Sequence, residues 1–199
     1  MRARRALLSI EQREYNEALA LLKDHRFKPW EGGEIVRLIF VCANVARGKR
    51  ALADKDYAQA EQAFRQALEY PLNLGAGKPD KPHNEEPLYW LGEVLQAQQK
   101  VDDARNAWQE AATTGRSGTG VAAVFGSASL GRLGQSEESL KNLSELANSD
   151  KENASAYDFY VAGLAKQLLG LEDEAQKAFA RALESDPSFW RARIEIKKL

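Results

Sequence analysis

Two histidines, His25 and His83, are the side chains of this 199-residue chain that would serve as a base near neutral pH. Glu31 and Glu34 follow the first and Glu85 follows the second. Imidazole and carboxylate in one loop region would allow a small hydrolytic or metal-binding group. The simpler reading weighs more: a histidine ending a helix meets its C-terminal dipole, as His25 would, and loop carboxylates are usually solvated. Other chemistry is thinner. No glycine-rich phosphate loop follows a strand pattern and no G-x-S-x-G elbow occurs, so Gly115-Arg116-Ser117-Gly118-Thr119-Gly120 reads as a flexible connection. The one cysteine, Cys42, excludes an internal disulfide and a multi-cysteine zinc site, and its apolar neighbours mark it as a packing residue. No catalytic residue, metal or cofactor is expected.

Trp30, between Pro29 and Glu31-Gly32-Gly33, has two readings. It plugs a gap opened by a long connection. Alternatively it joins Asn73, His83 and Asn84, with Glu31 and Glu34 beside it, in a loop-edge patch for a partner domain or a sugar ring. A flat aromatic face with nearby amides would suit either ligand.

The elements that must position these residues recur. Small, large, small triplets fall at Ala60, Phe64, Ala67, then Ala104, Trp108, Ala111, then Ala175, Phe179, Ala182. At that spacing one helical face is shaped to receive another helix. With Ala18/Leu22 and Ser139/Leu143 the anchors lie at 18, 60, 104, 139 and 175, each just after a turn such as Gln98-Gln99-Lys100. A first helix precedes each anchor, most clearly in Leu88-Tyr89-Trp90-Leu91-Gly92-Glu93-Val94-Leu95. Two insertions break the period, Phe27 to Glu34 and Tyr70 to Pro87, and both follow a second helix. They therefore emerge along one edge in neighbouring layers.

Composition bounds the function classes. Forty-four per cent hydrophobic and 29 per cent charged residues are ordinary for a soluble globular chain. With 28 Lys and Arg against 29 Asp and Glu, nothing favours nucleic acid or an anionic membrane. The basic cluster Arg2, Arg4, Arg5 precedes only Ala6-Leu7-Leu8, too short for a signal-peptide core, and no stretch approaches the roughly 20 apolar residues of a span. A cytoplasmic location is the expectation.

Leu88, Leu91, Gly92, Leu95, Ala104, Trp108 and Ala111 resemble the tetratricopeptide pattern, as do Phe159, Ala162, Gly163, Ala175, Phe179, Ala182 and Pro187. Two units depart from it: Arg47 stands where leucine is usual, and Ser127 and Ser139 replace small Gly and Ala. More specifically, Phe27 to Glu34, Ala67 to Gly75 and Tyr89 to Gly92 resemble the C-terminal repeat region of large, poorly characterised bacterial proteins. Those proteins place a carbohydrate-enzyme-like, beta-rich part ahead of their repeats. Lys28 departs from that pattern, where histidine would be expected.

The resemblance implies an all-α, right-handed solenoid of about five helix-turn-helix units forming one domain. The units fall at approximately 1–34, 35–84, 85–118, 119–154 and 155–188, with a capping helix over 189–199. First helices line the concave face of such arrays, which would place Lys49, Tyr89, Glu93, Val124, Arg132, Tyr157, Tyr160 and Gln167 against a bound segment. The expected function is a non-catalytic scaffold for a protein, a peptide or an attached domain absent from this chain. The alternative is an accessory array completing the active site of a carbohydrate-processing enzyme. Homo-oligomerisation through the ends of the stack is a third expectation.

Overall fold

The computed structural model describes residues 2–31, 33–75, 77–148 and 153–196. Met1, Gly32 and Ala76, and the parts of the fourth unit and the cap at 149–152 and 197–199, lie outside the described residues. Among the described residues all regular structure is helical: α1 (Arg2–Glu11), α2 (Tyr15–Lys23), α3 (Gly33–Ala53), α4 (Tyr57–Ala67), α5 (Glu85–Ala97), α6 (Val101–Gly115), α7 (Gly120–Arg132), α8 (Ser136–Ala147), α9 (Ala156–Leu168), α10 (Glu172–Ser185) and α11 (Trp190–Glu195). Short 3-10 turns at Pro29–Glu31 and Leu72–Leu74 sit inside the two insertions.

Five turns make these helices into hairpins, and all five are built alike. The second residue after each first helix adopts a left-handed conformation: Arg13 (φ 65°), Lys55 (60°), Gln99 (64°), Gly134 (89°) and Gly170 (76°). In each turn the following N–H reaches back five residues to a helix carbonyl, as Asp56 does to Ala51 at 2.8 Å and Leu171 to Lys166 at 2.9 Å. This double closure satisfies carbonyls that the ending helix leaves without partners. α1 and α2 are joined by the same turn, with Glu14 N–H donating to the Ser9 carbonyl at 2.8 Å, so residues 2–23 form a hairpin like the others.

The chain divides into two units, residues 1–107 and 108–199. In the first, α1 packs on α2, α2 on α3, α3 on α4 and α4 on α5, while among the first helices α1 also touches α3 and α3 touches α5. In the second the same scheme runs from α7 to α10, and α11 packs on α10. The repeated triplets are the core: Ala60, Phe64 and Ala67 are fully buried, as are Ala175, Phe179 and Ala182, and Trp108 is buried too. A glycine receives each phenylalanine. A methyl group built on Gly48 would lie 2.4 Å from the Phe64 ring, and one on Gly163 would lie 2.4 Å from Phe179. Ring and backbone thus occupy space that no larger side chain leaves free.

The glycine-rich stretch after α6 is a packing feature and not a flexible link. α6 continues to Gly115, and a methyl group there would meet the Gly126 Cα of α7 at 2.6 Å. Gly120 starts α7 with φ 58°, hard against the Tyr157 hydroxyl.

Candidate functional site

The two insertions meet, and Asn73 holds them together. The Phe27 N–H donates to the Asn73 carbonyl at 2.7 Å. The Asn73 side-chain amide donates to the Leu22 and His25 carbonyls at 2.9 and 3.0 Å, with a longer contact to Lys23. Gly75 adopts φ 73°, and a methyl group on it would lie 2.7 Å from the Phe27 carbonyl. The second insertion is tied to the helices through Tyr70, whose hydroxyl donates to Asn84 Oδ1 at 3.1 Å. The Arg37 guanidinium lies 4.3 Å from the Tyr70 ring and 5.6 Å from Phe40, and donates to the Ala67 carbonyl at the end of α4. Burial lowers the pKa of Arg37, and the nearby Tyr70 offsets part of that effect.

Trp30 does not plug a gap: it is 78% exposed, and Leu72 on the other insertion is 88% exposed. The Lys28 ammonium sits over one face of the indole at 5.3 Å. Glu31 folds back to accept from the Lys28 N–H at 2.8 Å and lies 4.0 Å from His25 Nε2. Glu34 and His83 are exposed, whereas Asn84 is buried. Of the loop-edge residues, Asn73 and Asn84 therefore hold backbone and loop, and Trp30 faces solvent.

The groove positions separate in the same way. In the first unit the Lys49 ammonium lies 5.4 Å above the Trp90 ring, Tyr89 packs edge-on against that ring at 5.2 Å, and Phe64 stacks beneath it at 6.5 Å. Lys49, Trp90 and Glu93 are half-buried, while Tyr89 is buried. In the second unit Val124 is fully buried, Arg132 is exposed and Gln167 is half-buried. Tyr160 is 2% exposed because Phe189 and Arg191 cover its ring at 5.5 and 4.7 Å. Tyr157 is partly exposed, but its hydroxyl accepts from the Val121 N–H at 3.3 Å and so caps α7. Trp90 was the residue that sequence spacing left out. Its aromatic type beside Tyr89, one position from Leu91, was the signal for it.

Two segments match family models for the tetratricopeptide repeat, residues 51–114 and 159–189. Both stretches are tetratricopeptide repeats. The glycine–phenylalanine contacts at Gly48/Phe64 and Gly163/Phe179 are the packing counterpart of that match. A solved structure of YrrB, described as a TPR protein with an unusual peptide-binding site, is 20% identical to this chain. The likeness covers 94% of this chain and 86% of that one, at a TM-score of 0.35. No curated protein matches the chain. Among the described residues, no helix is long and apolar enough to cross a membrane, and no group of three or more His, Cys, Asp or Glu is placed to hold a metal ion.

Proposed function

We propose that the tetratricopeptide array is a protein-interaction scaffold whose contact face in the first unit centres on Trp90, with Lys49 and Glu93 around it. The observation that carries this reading is the half-buried Trp90, stacked on Phe64 with the Lys49 ammonium over its ring, and with half-buried Glu93 three residues further along α5. An aromatic anchor in a packed surround is the usual centre of an interface, and the charges at its edge set orientation. Trp30 and Leu72 supply a second exposed apolar contact on the joined insertions, suited to an attached domain or a folded partner. The role is non-catalytic. Asn73 and Asn84, the amides that a sugar site would need, are engaged within the fold, which weighs against the enzyme-accessory reading.

A photoreactive amino acid at Trp90 should crosslink a protein partner, and Lys49→Glu should abolish the product. The same group at Gln109, which is exposed on α6, should give none. Equal products from both positions, or a product indifferent to Lys49→Glu, would remove the proposal.

A further inference from the structure

A polar cleft of about 840 Å³ opens in the first unit, between the α1–α2 turn, the end of α3 and the start of α4. Arg47 lines it. In two other hairpins the residue before the packed glycine is apolar and buried, Leu91 and Ala162. Here the position holds a cation. Arg47 Nη2 donates to two neutral acceptors, Asn44 Oδ1 at 3.2 Å and Gln66 Oε1. Its Nε is buried without an acceptor. Nη1 has no acceptor among the described residues, and the side chain lines the cleft. A part-buried guanidinium held by neutral groups alone carries a desolvation cost that no carboxylate of the fold offsets. Burial is accordingly the cause that lowers its pKa.

The rest of the lining adds two cations, Arg13 and Arg50, and four carboxylates, Glu14, Glu17, Asp54 and Asp56. Asp56 is already occupied, accepting from the backbone N–H and the side-chain amide of Gln59 at 3.1 Å each. The cleft thus has an unmet positive charge at Arg47 inside a rim rich in acids. We infer that this cleft is a further recognition site, taking from a protein partner a carboxylate side chain flanked by basic residues. The carboxylate meets Arg47, and the flanking cations meet the acidic rim. A guanidinium with free donors suits a carboxylate by geometry as well as charge. None of Lys49, Trp90 and Glu93 lines the cleft, and its test does not need the natural partner.

The probes are acetyl-Lys-Glu-Lys-amide and acetyl-Lys-Gln-Lys-amide, titrated into the full chain while the Arg47 guanidinium resonance is followed by NMR. The glutamate peptide should move that resonance and bind about tenfold or more tightly than the glutamine peptide, the size expected for one charge-assisted contact. Arg47→Leu, which restores the repeat's usual residue, should erase the preference while the melting temperature holds or rises. Arg47→Lys keeps the charge without the fork and should retain only part of the preference, which keeps the test open if the leucine variant fails to fold. Equal binding of the two peptides, or a preference that survives Arg47→Leu, would overturn the inference. Success here with no crosslink at Trp90 would remove the scaffold face and leave this site standing.

Discussion

The left-handed turn position holds Arg13, Lys55 and Gln99 in three hairpins and glycine in two. A side chain with a Cβ costs about 1–2 kcal/mol in that conformation, partly offset by the extra freedom glycine loses on folding. Lys55→Gly and Gln99→Gly should each stabilise the chain by about 0.5–1 kcal/mol, and Gly134→Ala should destabilise it by a similar amount, all read by urea denaturation. The packed glycines behave differently, because there space decides and not backbone conformation. Gly48→Ala and Gly163→Ala drive a methyl group into a fully buried ring, and each should cost about 1–3 kcal/mol. If either were neutral in denaturation, the ring would have room that the 2.4 Å approach denies. The small–large–small residues were legible because their period is set by backbone geometry alone. The burial of Val124 and Tyr160 was not, because it depends on which neighbour covers each side chain, as Phe189 and Arg191 cover Tyr160.

At the scale of elements, α4 is fastened to the turn before α6 by Glu61, which pairs with Lys100 and Arg65 at 2.8 Å each. The hydrogen bond from Lys100, followed by that from Arg65, lowers the Glu61 pKa from 4.5 to about 2 against the opposing effect of burial. A carboxylate with a depressed folded-state pKa stabilises above its unfolded value, and this contribution disappears as pH falls through the folded one. The melting-temperature gap between the native chain and Glu61→Gln should therefore be constant from pH 7 to about 5 and close between 4.5 and 2. A gap unchanged at pH 2 would show that Glu61 acts by packing. The insertions give a second case. Asn73→Ala removes the donor to two carbonyls and should cost about 1–2 kcal/mol, with faster amide exchange at Phe27. Trp30→Ala should leave stability within about 0.5 kcal/mol, since the ring is largely in water. That the insertions share an edge was legible from their place in the period. That one asparagine would join them was not, since its partners lie 48 to 51 residues away and are backbone carbonyls without sequence identity.

At the scale of the whole molecule, a nearly balanced charge and a repeated hairpin would leave recognition to local surfaces, and in the reading proposed above those surfaces lie where the chain departs from the repeat. Arg47 was visible as a departure from leucine, but the cleft beside it was not, because it forms between segments brought together by the turns. Cys42 is the chain's single thiol and is buried, so its reaction with a thiol reagent reports opening of the first unit. Gly48→Ala should accelerate that reaction in proportion to its loss of stability. The Asn73 junction constrains how the lengths of the two insertions can vary. Because Asn73 holds the chain leaving α2 with its amide and the start of the first insertion with its carbonyl, the two insertions form a single ledge, and lengthening or trimming either would strand the other. The two lengths are expected to change together or not at all.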